Sequence, residues 1–88
     1  MRRRTPPPKP ATIDVPAVRR TLARNVRRLR LRAGLTLDAA SERAGLHLRS
    51  WQKVEYEETN TTVTTLARVA AALDVPVDEL FSTDRRGT

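Results

Sequence analysis

The chain has 88 residues and a formal net charge of +7, which leaves room for one small domain. The absence of cysteine excludes disulfides and thiolate metal sites, and the single histidine cannot form a metal site alone. No apolar run reaches membrane-spanning length and the N-terminal segment lacks a signal-peptide core, so we expect a cytoplasmic protein without a membrane contact.

Positive charge is concentrated in the first third of the chain. Residues 1–34 hold eleven Lys/Arg and one acid, whereas residues 35–88 hold six Lys/Arg and nine acids. A polyanion would therefore meet the N-terminal third first. Residues 1–13 carry four prolines and four basic residues with almost nothing to bury, which predicts a disordered arm. Such an arm either contacts DNA phosphates or the minor groove, or is an inert tail.

The first predicted helix runs from about Val15 to Ala33. Asp14 is a suitable N-cap, and Pro16 falls in the first turn, where a missing amide does no harm. Gly34 is expected to end the helix. Apolar residues at steps of four and three predict one buried stripe, made of Val18, Leu22, Val26, Leu29 and Ala33.

Residues 36–56 are predicted to form two short helices. Thr36 is a good N-cap for the first of them, Gly45 supplies the left-handed residue that ends it, and the second begins near His47. Trp51 is expected to face the core. The side chains left towards solvent are Leu48, Arg49, Gln52, Lys53 and Tyr56. This is the arrangement of a helix-turn-helix, in which the second helix enters the DNA major groove.

A polar connector at 57–61 precedes a fourth predicted helix from about Thr62 to Leu73. Asp74 follows it and tolerates a left-handed backbone. Pro76 is then expected to begin a short fifth helix. The inward residues of these two helices are predicted to be Val63, Leu66, Val69, Ala70, Leu73, Leu80 and Phe81.

The pattern as a whole predicts an all-α domain of five helices over residues 14–82. It is flanked by the arm at 1–13 and by a flexible tail at 83–88. Carboxylates are scattered, hydroxyls have no adjacent base, and no glycine-rich phosphate loop or zinc spacing is present. We therefore expect neither an enzyme nor a cofactor.

Four segments carry a family resemblance through their order and spacing: LxxNVRRLRLRAGLT, ERAGL, WQKVE and NTTVTTLARVAAALDVPVDELF. With them, residues 22–81 resemble the Cro/phage-repressor (XRE-type) family of helix-turn-helix DNA-binding domains. The resemblance implies a bacterial, sequence-specific regulator of transcription that is repressor-like and binds double-stranded DNA as a homodimer. The recognition helix would span about residues 48–56.

The resemblance also implies roles for individual residues. Arg49 is the strongest candidate for a base contact, because a guanidinium can bond guanine O6 and N7 together. The implied base-contacting set is Arg49, Ser50, Lys53, Leu48 and Gln52. The implied phosphate-contacting set is Thr36, Leu37, His47 and Asn60. Arg30 and Glu55 are implied to form a partly buried structural ion pair. For the contact residues, ordinary solvent exposure or helix capping is the alternative.

Several other functions remain open on the sequence. Within the same fold, the chain could be a restriction–modification controller, or an antitoxin with a protein partner. A protein–protein adaptor that has lost DNA binding is favoured by Leu48, which departs from a usual polar residue, and by the acids Glu57 and Glu58. Glu57 also stands where the family usually has glycine. RNA binding through the arginine-rich N-terminal third is a further alternative.

Overall fold

A computed structural model describes residues 14–58 and 60–83 of the chain. The predicted arm at 1–13 and residues 84–88 of the predicted tail lie outside the described residues. The elements in chain order are α1 Val15–Arg32, α2 Leu37–Ala44, α3 Leu48–Glu55, α4 Val63–Leu73 and a C-terminal 3₁₀ helix Val77–Phe81. The described part contains no strand, so the all-α class is confirmed.

The short fifth helix is a 3₁₀ helix. It has five residues, and the amide of Glu79 donates to the carbonyl of Pro76 at 3.0 Å. Segments this short commonly adopt the tighter i to i+3 hydrogen bond. The start after Pro76 is as predicted.

Side-chain caps fix the starts of three α-helices. The side chains of Asp14, Thr36 and Thr62 each accept a hydrogen bond from the amide three residues later, at 3.0, 3.0 and 3.1 Å. Each cap satisfies a helix amide that has no partner within the helix. α3 begins differently, because the side chain of His47 makes no capping hydrogen bond.

Every α-helix is followed by a residue with a left-handed backbone. These residues are Gly34, Gly45, Glu57 and Asp74, with φ values of 74°, 70°, 61° and 58°. In each case the next amide donates to the carbonyl five residues earlier, over 2.9 to 3.1 Å. This pattern is the Schellman motif, which glycine adopts without a steric penalty. Glu57 and Asp74 therefore carry a local backbone cost that Gly34 and Gly45 avoid.

The core lies between α1 on one side and α2, α3 and α4 on the other. Its most completely buried large side chains are Trp51, Leu80, Val26 and Val69. α1 packs against α3 and the 3₁₀ helix, while α2 packs against α3 and α4. The small residue Ala40 is fully buried in α2, which lets its neighbours approach closely.

Four residues predicted to be buried are exposed. Val18 is 46% exposed, Val63 is 80% exposed, and Phe81 is 38% exposed. Ala33 is also exposed and is the C-cap of α1, which ends at Arg32. All four lie at or near the ends of their elements, where a helical stripe continues past the elements that cover its middle.

Candidate nucleic-acid interface

The helix-turn-helix consists of α2, the turn at 45–47 and α3. Leu46 in the turn packs against the core, and Trp51, one turn into α3, has no exposed surface. A Cβ added at Gly45 would meet Nη1 of the exposed Arg68 side chain of α4 at 3.0 Å, so this side chain lies against the turn. The packing of Leu46 and Trp51 in the core holds the relative orientation of α2 and α3.

Arg30 and Glu55 join the C-terminal part of α1 to the end of α3. Arg30 Nε donates to Glu55 Oε2 at 2.6 Å, and Arg30 Nη2 donates to Glu55 Oε1 at 3.1 Å. The third nitrogen, Nη1, donates to the carbonyl of Leu35 at 2.9 Å. Trp51 Nε1 also donates to Glu55 Oε2, at 2.7 Å. The buried carboxylate of Glu55 is thus held by three donors, and each nitrogen of the Arg30 guanidinium donates one hydrogen bond.

This cluster fixes the position of α3 with charged groups that are almost inaccessible to water. The Arg30 and Glu55 side chains are 8% and 1% exposed. The hydrogen bond to Glu55 raises the pKa of Arg30, against the lowering effect of burial. An ion pair in such surroundings contributes little net stability, but removing one partner leaves a buried charge and costs about 3–5 kcal/mol.

The outer surface of α3 carries the predicted base-contacting residues. Arg49 and Leu48 are exposed, whereas Ser50, Gln52 and Lys53 are half-buried. The spacing of 49, 52, 53 and 56 places these positions on one helix face, opposite Trp51 and Val54. The half-exposed Tyr56, at the C-cap, shares this face, although no role was predicted for it. We call Arg49, Gln52, Lys53 and Tyr56 the α3 outer face.

The predicted phosphate-contacting residues lie at two helix starts and in the connector. Thr36 and His47 are the exposed N-caps of α2 and α3, and the half-buried Leu37 is the first residue of α2. Helix starts carry unpaired amides and partial positive charge, which suits phosphate. Asn60 is exposed, and its side-chain oxygen accepts a hydrogen bond from Arg19 of α1. That contact ties the connector to α1.

Asn25 is a structural residue that the sequence analysis missed. It is 3% exposed, and its Nδ2 donates to the carbonyls of Leu80 at 2.9 Å and Ser82 at 2.8 Å. These bonds attach the 3₁₀ helix to α1 across more than fifty residues of sequence. The sequence feature that could have identified Asn25 is its amide side chain, which lies beside the apolar stripe of an otherwise arginine-rich helix.

Within residues 14–58 and 60–83, the structure contains neither a membrane-spanning helix nor a metal-binding cluster. None of the helices there has both the length and the apolar character needed to cross a membrane. In the same residues, no group of three or more His, Asp and Glu side chains is arranged to hold a metal ion.

Solved structures with a similar fold include three bacterial proteins. The restriction–modification controller protein C.AhdI from Aeromonas hydrophila is 28% identical, with a TM-score of 0.71 over 74% of this chain and 98% of that one. The hypothetical transcription factor NHTF from Neisseria is 26% identical, with a TM-score of 0.76 over 89% and 91%. An HTH_3 family transcriptional regulator from Vibrio cholerae is 25% identical, with a TM-score of 0.75 over 83% and 41%.

Comparison by sequence identifies the family directly. No curated protein gives a significant match. The sequence model of the helix-turn-helix domain, however, matches residues 21–81, well over half of the chain. The family and the fold are those of DNA-binding regulators rather than of enzymes. This chain therefore belongs to the helix-turn-helix domain family and resembles its Cro/phage-repressor type, as its sequence pattern predicts.

Proposed function

We propose that the protein is a sequence-specific regulator of transcription that inserts α3 into the major groove of double-stranded DNA. The observation that carries this proposal is the rigid presentation of the α3 outer face. Hydrogen bonds among Arg30, Glu55 and Trp51 hold the buried side of α3 in place. Arg49 is exposed in the first turn of the same helix. A base-reading side chain must be held by a fixed backbone, because bidentate contacts to a base edge tolerate little displacement.

Arg49 and Lys53 are proposed to read bases, with Ser50, Leu48 and Gln52 in supporting positions. Arg49 is suited to guanine, and Leu48 offers an apolar contact for a thymine methyl group. Thr36, Leu37, His47 and Asn60 are proposed to set the register on the phosphates. Such backbone contacts fix the orientation of the domain but carry no sequence information. The corresponding set of base contacts would span only a few base pairs.

A homodimer is proposed because one such reading surface is too small for a regulator. Two-fold pairing would place two copies of α3 about 34–36 Å apart, one DNA turn. The exposed pair Val77 and Phe81 on the 3₁₀ helix supports an interface there, since they are 40% and 38% exposed. Asn25 would support this surface from beneath by holding the 3₁₀ helix on α1.

The proposed organisation keeps three parts, with a binding domain at 14–82 between a basic arm at 1–13 and a tail at 83–88. The arm carries four cations, and it is either an accessory contact to the DNA backbone or an inert tail. The three similar structures described above come from bacteria, which supports a bacterial protein. We also propose a cytoplasmic location.

A restriction–modification controller is the second candidate within this class. It is favoured by the similarity to C.AhdI, which extends over 98% of that protein's chain. An antitoxin of the same fold would require a protein partner in addition to DNA. Co-purification of the chain with the product of its neighbouring gene would separate an antitoxin from a regulator acting alone.

Selection of bound fragments from genomic DNA, followed by gel shifts, tests the proposal. We expect one enriched motif, and we expect duplex DNA containing it to bind at least about a thousandfold more tightly than unrelated duplex. No enriched motif, together with equal affinity for unrelated duplex, would contradict the proposal. Preference for single-stranded RNA would indicate the RNA-binding alternative. If the protein binds no nucleic acid at all, the result would favour the alternative of a protein–protein adaptor.

A further inference from the structure

The start of α1 is attached to the connector at 57–61. Arg19 Nη2 donates to the side-chain oxygen of Asn60, which lies 41 residues later in the chain. Arg19 precedes residues 21–81, the part that matches the family, so membership of the family assigns it no role. We propose that Arg19, together with Asn60, binds a backbone phosphate of the same duplex that α3 reads. The inference rests on the proposed function in taking duplex DNA as the ligand.

The guanidinium edge formed by Nε and Nη2 is used differently in Arg19 and Arg30. In Arg30 both nitrogens donate to the carboxylate of Glu55, at 2.6 and 3.1 Å. In Arg19, Nη2 donates to the neutral amide oxygen of Asn60, and Nε is buried without a hydrogen-bond partner among the described residues. Two parallel N–H groups on this edge match two oxygens of a carboxylate or a phosphate. The edge in Arg19 is therefore an anion-binding edge that no carboxylate of the described residues occupies.

The Arg19 side chain can turn this edge toward a ligand. The residue as a whole is half-buried rather than enclosed. Long side chains near a surface change rotamer on a timescale of nanoseconds or less, far faster than a protein dissociates from DNA. A buried N–H group without a partner is also costly, which favours a rotamer that gives Nε an acceptor. Binding to a phosphate would supply that acceptor.

The charge of the connector requires a cation from another element. Residues 57–61 contain two acids, Glu57 and Glu58, and no basic residue. Such a segment repels phosphate, although Asn60 within it is a proposed phosphate contact. The Arg19 guanidinium brings a positive charge to Asn60. Among residues 14–58 and 60–83 the one ion pair does not include Arg19, so its charge is not paired with an acid there.

The connector stays close to the last turn of α3. The amide of Glu58 donates to the carbonyl of Lys53 at 2.9 Å, so the chain folds back on α3 before it reaches Asn60. Two further residues span at most about 7 Å. The major groove that would receive α3 is about 12 Å wide, and phosphates border it on both sides. A site this near to the last turn of α3 is therefore within reach of a phosphate at the edge of the groove.

The salt dependence of DNA binding tests the inference. The affinities of full-length wild type and Arg19→Gln are measured from about 50 to 200 mM salt, on the selected site and on unrelated duplex. Loss of one phosphate contact should lower the logarithmic salt slope by about 0.9 and weaken binding roughly fivefold to tenfold near 0.1 M salt. Both duplexes should be affected equally, because a phosphate contact carries no sequence information. Arg19→Lys keeps the charge and should retain the wild-type slope.

Two further variants separate a phosphate contact from a structural tie and from general loss of charge. Arg24→Gln removes the same charge at an exposed position of α1 and should change the slope much less. Asn60→Asp keeps an acceptor for Arg19 but places a carboxylate where the phosphate would bind. It should lower the slope by about 0.9 without lowering the thermal unfolding temperature. An unchanged slope in Arg19→Gln, or an equal decrease in Arg24→Gln, would overturn the inference.

Failure of this inference differs from failure of the proposed function. If wild type does not distinguish the selected site from unrelated duplex but Arg19→Gln lowers the slope, sequence-specific regulation is rejected and the Arg19 contact is supported. If wild type prefers the selected site but Arg19→Gln leaves the slope unchanged, the proposed function is supported and the Arg19 contact is rejected. A wild-type protein that binds no duplex would overturn both.

Discussion

Arg30 and Glu55 form an ion pair with two hydrogen bonds, of 2.6 and 3.1 Å, which connects α1 directly to the last residue of α3. The pair is buried, and Trp51 donates to the same carboxylate from the preceding turn of α3. Because this cluster holds the helix that presents Arg49, we expect both the stability of the domain and the proposed DNA recognition to depend on it.

Arg30→Met should destabilise the domain by about 3–5 kcal/mol, because it leaves the Glu55 carboxylate buried without its cation. Chemical denaturation followed by circular dichroism measures the loss. Arg24→Met is the matched control on the same helix, and at an exposed position it should change stability by less than about 0.5 kcal/mol. Equal effects of the two substitutions would show that the ion pair has no structural importance.

The contribution of Arg30 to stability should be insensitive to pH through the neutral and moderately alkaline range. Its pKa is raised in the folded protein by the hydrogen bond to Glu55. A raised pKa gives stability that is fully present below the unfolded-state value and is lost only as pH rises through the folded-state value. A double-mutant cycle between Arg30 and Glu55, repeated at neutral and alkaline pH, should give the same coupling energy. A coupling that falls between these two conditions would contradict this assignment.

Glu57→Gly should stabilise the domain by about 0.5–1 kcal/mol. Glu57 has φ of 61°, a conformation that costs a residue with a side chain about 1–2 kcal/mol. Glycine removes this cost, but it also makes the unfolded chain more flexible, which cancels part of the increase in stability. Glu58→Gly is the matched control, since Glu58 is not among the residues with positive φ and should gain nothing. Thermal unfolding of both variants measures the difference. A stabilised Glu58→Gly with an unchanged Glu57→Gly would rule out the backbone explanation.

Phe81→Glu should convert the proposed homodimer into a monomer, because it places a charge in an apolar contact on the 3₁₀ helix. Light scattering measures the mass of the free protein and of its DNA complex. Val63→Glu serves as the control, because Val63 is 80% exposed at the start of α4 and lies outside the proposed interface. A wild-type protein that is monomeric both free and on its site would refute the dimer itself.

Local features of the fold were predictable because their causes lie within a few residues. The caps at Asp14 and Thr36 and the helix end at Gly45 each depend on one side chain and its own turn. The burial of Val18 and Val63 was predicted wrongly, because a periodic stripe does not show where the covering elements stop.

Long-range polar contacts were not predictable from local pattern. The Arg30–Glu55 pair was expected only through the family resemblance. The hydrogen bonds of Asn25 to the carbonyls of Leu80 and Ser82 connect segments more than fifty residues apart, and no periodicity signals them. Trp51 was predicted as a core residue, but its indole donor to Glu55 depends on the packed arrangement of α3.

Base recognition by Arg49 is tested most directly by comparing the DNA motifs selected by wild type and by Arg49→Ala, together with their affinities for the wild-type site. We expect the substitution to cost about 1–3 kcal/mol at that site and to remove the preference at one base position, with little change in the salt slope. Arg43→Ala, at the exposed end of α2, should leave the motif unchanged. An Arg49→Ala protein that selects the wild-type motif with wild-type affinity would contradict the central claim that α3 reads DNA through Arg49.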